Sequence, residues 1–174
     1  MIGGSDDGED GGISFEDNQA LQNLLFKRAR LIGTAENKLD LLIDLISQER
    51  DVSHALVYCS DGSMGVEGDG RRHVEETTDR LRSECNLRVE PFTAEESQSE
   101  RERLLSKFEA GDIDVLSAIR CLDEGVDVPA TRTAYILASS SNPRQYVQRR
   151  GRILRQHKDK QYAVIHDFVV VAGL

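Results

Sequence analysis

Leu87-Arg-Val-Glu-Pro-Phe-Thr-Ala-Glu-Glu-Ser-Gln-Ser-Glu-Arg-Glu-Arg-Leu-Leu-Ser-Lys-Phe-Glu-Ala-Gly-Asp-Ile-Asp-Val-Leu-Ser117 reads as strand, helix, strand. Leu87 to Phe92 has the length and content of a strand. Ser97 to Ala110 has helical spacing, with Leu104, Leu105 and Phe108 on one side and Ser99 and Glu102 placed for a capping box. Ile113 to Ser117 is again a strand. The pattern continues on both sides. Ala55-Leu-Val-Tyr-Cys59 is a short continuous apolar run, as expected of a strand covered on both faces. His73 to Glu84 is helical, with Val74, Thr78, Leu81 and Cys85 inward. Thr133 to Leu137 and Tyr162 to His166 supply two more strands. Upstream, Leu39, Leu42, Ile43 and Ile46 make one apolar stripe on a helix over 36–49. Strands and helices alternating through short connections predict an α/β fold: a parallel sheet flanked by helices on both faces. In such sheets function gathers where the carboxyl ends of the strands give way to loops, here after Cys59, Phe92, Ser117 and Leu137.

The chain has 174 residues, one domain's worth, and at 39% apolar content it can bury a sizeable core. Residues 1–16 are rich in Gly, Asp and Glu and read as a disordered segment or linker, residues 17–35 as a helical linker, and 36–174 as the folded domain. No apolar run approaches membrane-spanning length, and the start does not look like a signal peptide. Cys59, Cys85 and Cys121 are odd in number and widely spaced, which suits reduced thiols in a cytoplasmic protein and argues against a disulfide framework or zinc site. The formal charge is −9, from 31 acidic and 22 basic residues. An acidic chain binds nucleic acid only through a few local loops, or else carries its acidity as an adaptation to high salt.

Against that background one basic cluster stands out, Gln145-Tyr-Val-Gln-Arg-Arg-Gly-Arg-Ile-Leu-Arg155. Asn142-Pro143 starts a helix, with Asn as N-cap and Pro at the first helical position. Wound at about 100° per residue, Gln145, Gln148, Arg149, Arg152 and Arg155 share an arc of roughly 120°. Tyr146, Val147, Ile153 and Leu154 fall on the packing side. Gly151 leaves room for a close approach. Arg150 falls among the apolar residues, where it needs a carboxylate or a neighbouring domain. A solvated basic face is the bland reading, but concentrated arginine also suits bidentate recognition of phosphate. Before this helix, Cys121-Leu-Asp-Glu-Gly-Val-Asp-Val-Pro129 holds Asp127 between two valines. That carboxylate can meet a ribose hydroxyl, although a turn Asp that satisfies backbone N–H groups is the commoner case.

Taken together, Ala55-Leu-Val-Tyr-Cys-Ser60, Phe92-Thr93 with Arg101 through Phe108 and Gly111, Arg120-Cys-Leu-Asp-Glu-Gly-Val-Asp-Val-Pro129 and Gln148-Arg-Arg-Gly-Arg-Ile-Leu-Arg155 resemble, in order, successive motifs of the second RecA-like lobe of superfamily 2 helicases. The likeness covers about Lys38 to Val170. The last motif looks more like that of xeroderma pigmentosum group B-like and restriction- or defence-type DNA translocases than that of the RNA-unwinding DEAD-box branch, which has His where Gln148 stands. The resemblance implies that Arg152 and Arg155 are arginine fingers on the ATP γ-phosphate, that Gln148 couples the nucleotide to the lobe interface, and that Arg149 helps orient the motif. It further implies that Asp127 meets the ATP ribose in a loop shaped by Gly125. Thr93, Arg101, Ser117 and Arg120 become the candidates for contacts to nucleic-acid phosphates. Ile119 departs from the pattern, since many relatives carry a phosphate-touching Thr there.

No GxxxxGK[ST] occurs in the sequence, nor an acidic box to hold Mg²⁺. Phosphoryl transfer needs both. The expectation is therefore a C-terminal motor lobe, inactive alone, whose ATP and Mg²⁺ are held with an N-terminal ATPase lobe of the same polypeptide and whose partner is nucleic acid, DNA favoured over RNA. The alternatives are an inert helicase-like interaction module and a stand-alone nucleotide-binding regulator.

Overall fold

The computed structural model describes residues 19–21, 23–24, 35–60, 73–93, 95–119, 128–138, 147, 150, 151, 153, 155, 157 and 160–170. In chain order these contain α1 (Glu36–Ser47), β1 (Ala55–Tyr58), α2 (His73–Cys85), β2 (Val89–Phe92), α3 (Gln98–Ala110), β3 (Val115–Ala118), β4 (Thr133–Ile136) and β5 (Val164–Asp167). Residues 147, 150, 151 and 153 are helical and belong to the arginine-rich stretch. Residues 19–21, 23 and 24, also helical, fall in the expected linker helix; the rest of that segment lies outside the described residues.

The five strands form one sheet in the order β2-β3-β1-β4-β5, and every neighbouring pair is parallel. Phe92, Ala118, Tyr58, Ile136 and Asp167 stand level across it, so all five carboxyl ends open on one edge. Each strand starts or stops within two residues of its expected position. The edge strand β2 contains Pro91, whose missing N–H is tolerated where one side of the strand has no neighbour.

Successive strand residues point to opposite faces and fill two separate cores. Val57, Val115 and Tyr135 join Leu39, Leu42, Ile43 and Ile46 of α1 and Val74 and Leu81 of α2. Leu56, Tyr58, Leu116, Ala134 and Ile136 join Phe108 of α3 and Ile153 of the arginine-rich helix. Helices therefore cover both faces, and the four residues of the predicted α1 stripe are all buried. Phe108 is enclosed as expected, while Leu104 and Leu105 are only partly covered against it. In α2, Thr77 is buried beside the expected Val74, Thr78 and Leu81. Its hydroxyl and that of Thr78 donate back to the carbonyls of His73 and Val74, so neither is left unsatisfied.

One local expectation needs correcting. The capping box of α3 is Ser97 with Glu100, not Ser99 with Glu102. Ser97 Oγ accepts from the Glu100 N–H, and the Glu100 carboxylate accepts from the Ser97 N–H at 3.0 Å. Both pairs have the required spacing, but only Ser97 has the extended backbone an N-cap needs, which places Ser99 inside the first turn. Gly111 ends α3 at φ 80°, a left-handed conformation that lets its own N–H and that of Asp112 reach back to the Phe108 and Lys107 carbonyls.

Candidate functional site

The connections leaving β1 and β4 set the site. β1 leads to α2 on one face. β4 leads to the arginine-rich helix, which packs through Ile153 on the other. Adjacent parallel strands whose connections diverge in this way leave a crevice at their carboxyl ends.

Around those carboxyl ends lies a set of buried and half-buried polar groups. Lys38 of α1 is 4% exposed, and its Nζ donates to the Leu137 carbonyl just past β4 at 2.6 Å. Burial lowers the Lys38 pKa, and the charge of Asp167 opposes that shift. Asp167, in the level row at the end of β5, accepts a hydrogen bond from Arg150 at 2.9 Å. This pairing accounts for an arginine placed among apolar residues: the half-buried guanidinium is held by a carboxylate. His73 is 1% exposed at the start of α2, and its Nδ1 accepts the Ser60 N–H at 3.0 Å. Burial, with a smaller contribution from the Lys38 charge, pushes the His73 pKa down to about 4, so the ring is neutral near pH 7. It joins the first turn of α2 to the chain leaving β1.

The residues singled out for chemistry are only partly in view. Gln148, Arg149 and Arg152, together with Arg120, Gly125 and Asp127, lie outside the described residues. Arg155 is exposed, and so is Gly151, where an added Cβ would meet nothing within 4 Å. Val147, expected on the packing side, is 66% exposed. The helical period puts Val147 and Ile153 about 60° to either side of Arg150, and the packed face is centred on the Ile153 side.

Thr93 sits at the carboxyl end of β2 and is nearly buried. Its N–H and hydroxyl both donate to the Glu96 carboxylate, at 2.7 and 3.0 Å, and its oxygen accepts from the Glu95 N–H. A phosphate would therefore have to displace Glu96. Arg101 is half-buried in the first turns of α3. Ser117 needs correcting as a phosphate contact. It is fully enclosed, and its Oγ has no hydrogen-bond partner among the described residues. The strand runs one residue further than expected, to Ala118, which puts Ser117 inside the sheet instead of at its edge.

Lys38, His73 and Asp167 were not singled out in advance. A faint signal existed for Lys38, which lies four residues before Leu42 on the buried side of an otherwise apolar stripe. A cavity of about 460 Å³ between α1 and the chain following β5 is lined by Lys38, Leu41, Leu45, Asp167, Phe168 and Val169, among others. Among the described residues, none of the candidates Thr93, Arg101, Ser117 and Arg155 lines it.

Comparison with known proteins supports the same frame. The helicase conserved C-terminal domain family matches residues 37–157. Among curated proteins, the DNA 3'-5' translocase XPB2 of Sulfurisphaera tokodaii is 28% identical over an alignment 143 positions long, which covers 71% of this chain and 32% of the translocase. The ATP-dependent RNA helicase eIF4A of Kluyveromyces lactis is 31% identical over 115 residues, 66% of this chain and 26% of the helicase. The chain thus spans about a third or less of these relatives' length. Among solved structures, the C-terminal domain of the DEAD-box protein Dbp5 superposes with a TM-score of 0.60 at 19% identity, covering 79% of this chain and 73% of that one. The Pyrococcus furiosus Hef helicase domain does so with a TM-score of 0.53 at 23% identity, covering 89% and 31%. At these identities the structural matches establish the α/β RecA-like fold.

Proposed function

The chain belongs to the helicase conserved C-terminal domain family, the second RecA-like lobe of superfamily 2 helicases, and from that premise we propose that it works as the arginine-supplying half of an ATP-dependent nucleic-acid motor. The observation that carries this reading is the anchoring of the arginine-rich helix. Ile153 is 2% exposed in the core and Arg150 is fastened to Asp167, while Gly151 has nothing within 4 Å of an added Cβ and Arg155 is exposed. On a helical projection of the sequence, Gln148, Arg152 and Arg155 fall about 140–200° around from Arg150. Guanidiniums carried by a helix anchored in this way suit recognition of a transferring phosphoryl group, where preorganised charge acts without reorganisation cost.

ATP supplies the phosphoryl chemistry, and its Mg²⁺ falls to the ATP-binding lobe expected to accompany this one. Arg152 and Arg155 act as the fingers, with Gln148 coupling the nucleotide to the lobe interface and Arg149 helping to orient the motif. Asp127 and Gly125 form the ribose contact. Thr93, Arg101 and Arg120 remain the candidate strand contacts. Movement of the two lobes against each other carries the motor along its track. DNA is the favoured track, because Gln148 stands where the RNA-unwinding branch has His. The isolated chain is expected to hydrolyse no ATP.

In the full polypeptide, Arg152→Ala and Arg155→Ala should each lower ATP turnover on the order of 10³-fold while ATP binding persists. Turnover retained in both variants would sink the finger assignment and favour an inert interaction module. Competition between single-stranded DNA and RNA of one sequence tests the choice of track, and preferential stimulation by RNA would reverse it.

A further inference from the structure

We propose that Lys160 is a positioning residue that locks the loop leaving Asp127 to the arginine-rich helix. The inference rests on the motor reading above for its functional consequence, and on geometry of its own. Lys160 Nζ donates to three backbone carbonyls: Ile153 at 2.8 Å, Pro129 at 2.9 Å and Thr131 at 3.1 Å. An ammonium has three donors and no acceptor, so this arrangement uses its whole capacity. The carbonyls come from two segments that share no other backbone hydrogen bond among the described residues. Pro129 and Thr131 belong to the stretch entering β4. Ile153 belongs to the helix, where a cation also complements the carbonyl end of the helix dipole.

The positions matter more than the number of bonds. Pro129 lies two residues after Asp127. Ile153 directly follows Arg152 and lies two residues before Arg155. One side chain therefore sets the spacing between the backbone that carries the ribose carboxylate and the backbone that carries both fingers. The surroundings hold it firmly. Val128, Ala130, Thr131 and Ile153 are all buried. The Lys160 N–H closes a tight turn on the His157 carbonyl at 3.0 Å, and His157 Nε2 lies 3.3 Å from the Glu109 carboxylate of α3. Desolvation lowers the Lys160 pKa, in keeping with an ammonium held by carbonyls instead of a carboxylate. Arginine could not substitute, because a planar fork does not match three carbonyls that converge on one nitrogen.

The test has two arms. In the full polypeptide, Lys160→Met keeps the aliphatic stem and removes the three donors. ATP turnover should fall on the order of 100-fold, the cost of misplacing a reacting group by about an ångström. The KM for ATP should move far less, since finger contacts act mainly in the transition state. Lys160→Arg should recover little of the lost turnover. Unchanged kcat in Lys160→Met, or full recovery in Lys160→Arg, would overturn the proposal. The second arm uses the chain itself. Nuclear magnetic resonance of the wild type should show coupling from Lys160 ¹⁵Nζ to the carbonyl carbons of Pro129, Thr131 and Ile153, and absence of all three couplings would overturn the clamp even if the variants failed to fold. Intact couplings together with full turnover in Arg152→Ala and Arg155→Ala would overturn the motor reading and leave the clamp standing.

Discussion

Acid should loosen this protein through one ring. His73 is 1% exposed, accepts the Ser60 N–H at Nδ1, and titrates near 4 instead of 6.5. The unfolded chain binds a proton on this ring below about pH 6.5, and the folded chain does so only near 4. Between those values the unfolded state holds more protons, so stability is fully present above 6.5, falls as pH drops through the window, and levels off below 4. The span of about 2.5 pH units corresponds to about 3 kcal/mol at pH 4, at about 1.4 kcal/mol per unit. That is a large share of the ~5–15 kcal/mol that holds a domain together. The perturbation is His73→Asn, which keeps an acceptor close to the Nδ1 position and removes the titration. Urea unfolding at pH 7.5 and at pH 4 would be measured for both proteins. Other groups also titrate in this range, so the quantity to read is the double difference. Acidification should cost the wild type about 3 kcal/mol more than the variant. Direct titration of the His73 ring by nuclear magnetic resonance should give a value near 4. A ring titrating at its ordinary pKa, or a double difference near zero, would refute the reasoning, because it would mean that neither burial nor the Lys38 charge penalises the charged form.

The remaining expectations are local. Ser97→Ala should cost about 1 kcal/mol of unfolding free energy through loss of the α3 cap, whereas Ser99→Ala should stay within about 0.5 kcal/mol; equal losses would contradict the assigned register. Asp167→Asn should destabilise the fold by about 1–3 kcal/mol by leaving the half-buried Arg150 guanidinium without its charged partner. In a double-mutant cycle with Arg150→Met that loss should be strongly non-additive, and simple additivity would show that the two side chains do not act as a pair. Burial pushes the Cys59 thiol up to about 12, so it should resist a thiol reagent in the native chain at pH 8 and react only on unfolding, as mass mapping of the modified peptide would show.

Much of the architecture was legible because it is written in short periods. The alternation of apolar strands with amphipathic helices specified an α/β parallel sheet before any contact was known, and the α1 stripe of Leu39, Leu42, Ile43 and Ile46 proved to be buried as a unit. The boundaries were less legible. Ser97 and Ser99 both satisfy the capping pattern, and only backbone conformation separates them. Ser117 was placed at a strand end by composition, yet pairing with Val57 and Pro91 on either side carries the strand past it and seals it inside. For Arg150 the helical projection raised a question that local sequence could not answer.

What the sequence determined by itself was the class of fold, the order of the motifs and the one basic helix on an acidic chain, since each depends on residues near one another along the chain. The tertiary structure decided which charges meet. Asp167 lies 17 residues from Arg150, and the Leu137 carbonyl lies 99 residues from Lys38. Lys160 reaches Pro129 and Thr131 across 31 and 29 residues. Those partners depend on the strand order β2-β3-β1-β4-β5, which brings the ends of β4 and β5 side by side, and on the packing of Ile153 against that sheet. No periodicity in the sequence encodes that order, because it results from how two faces of one sheet bury their helices.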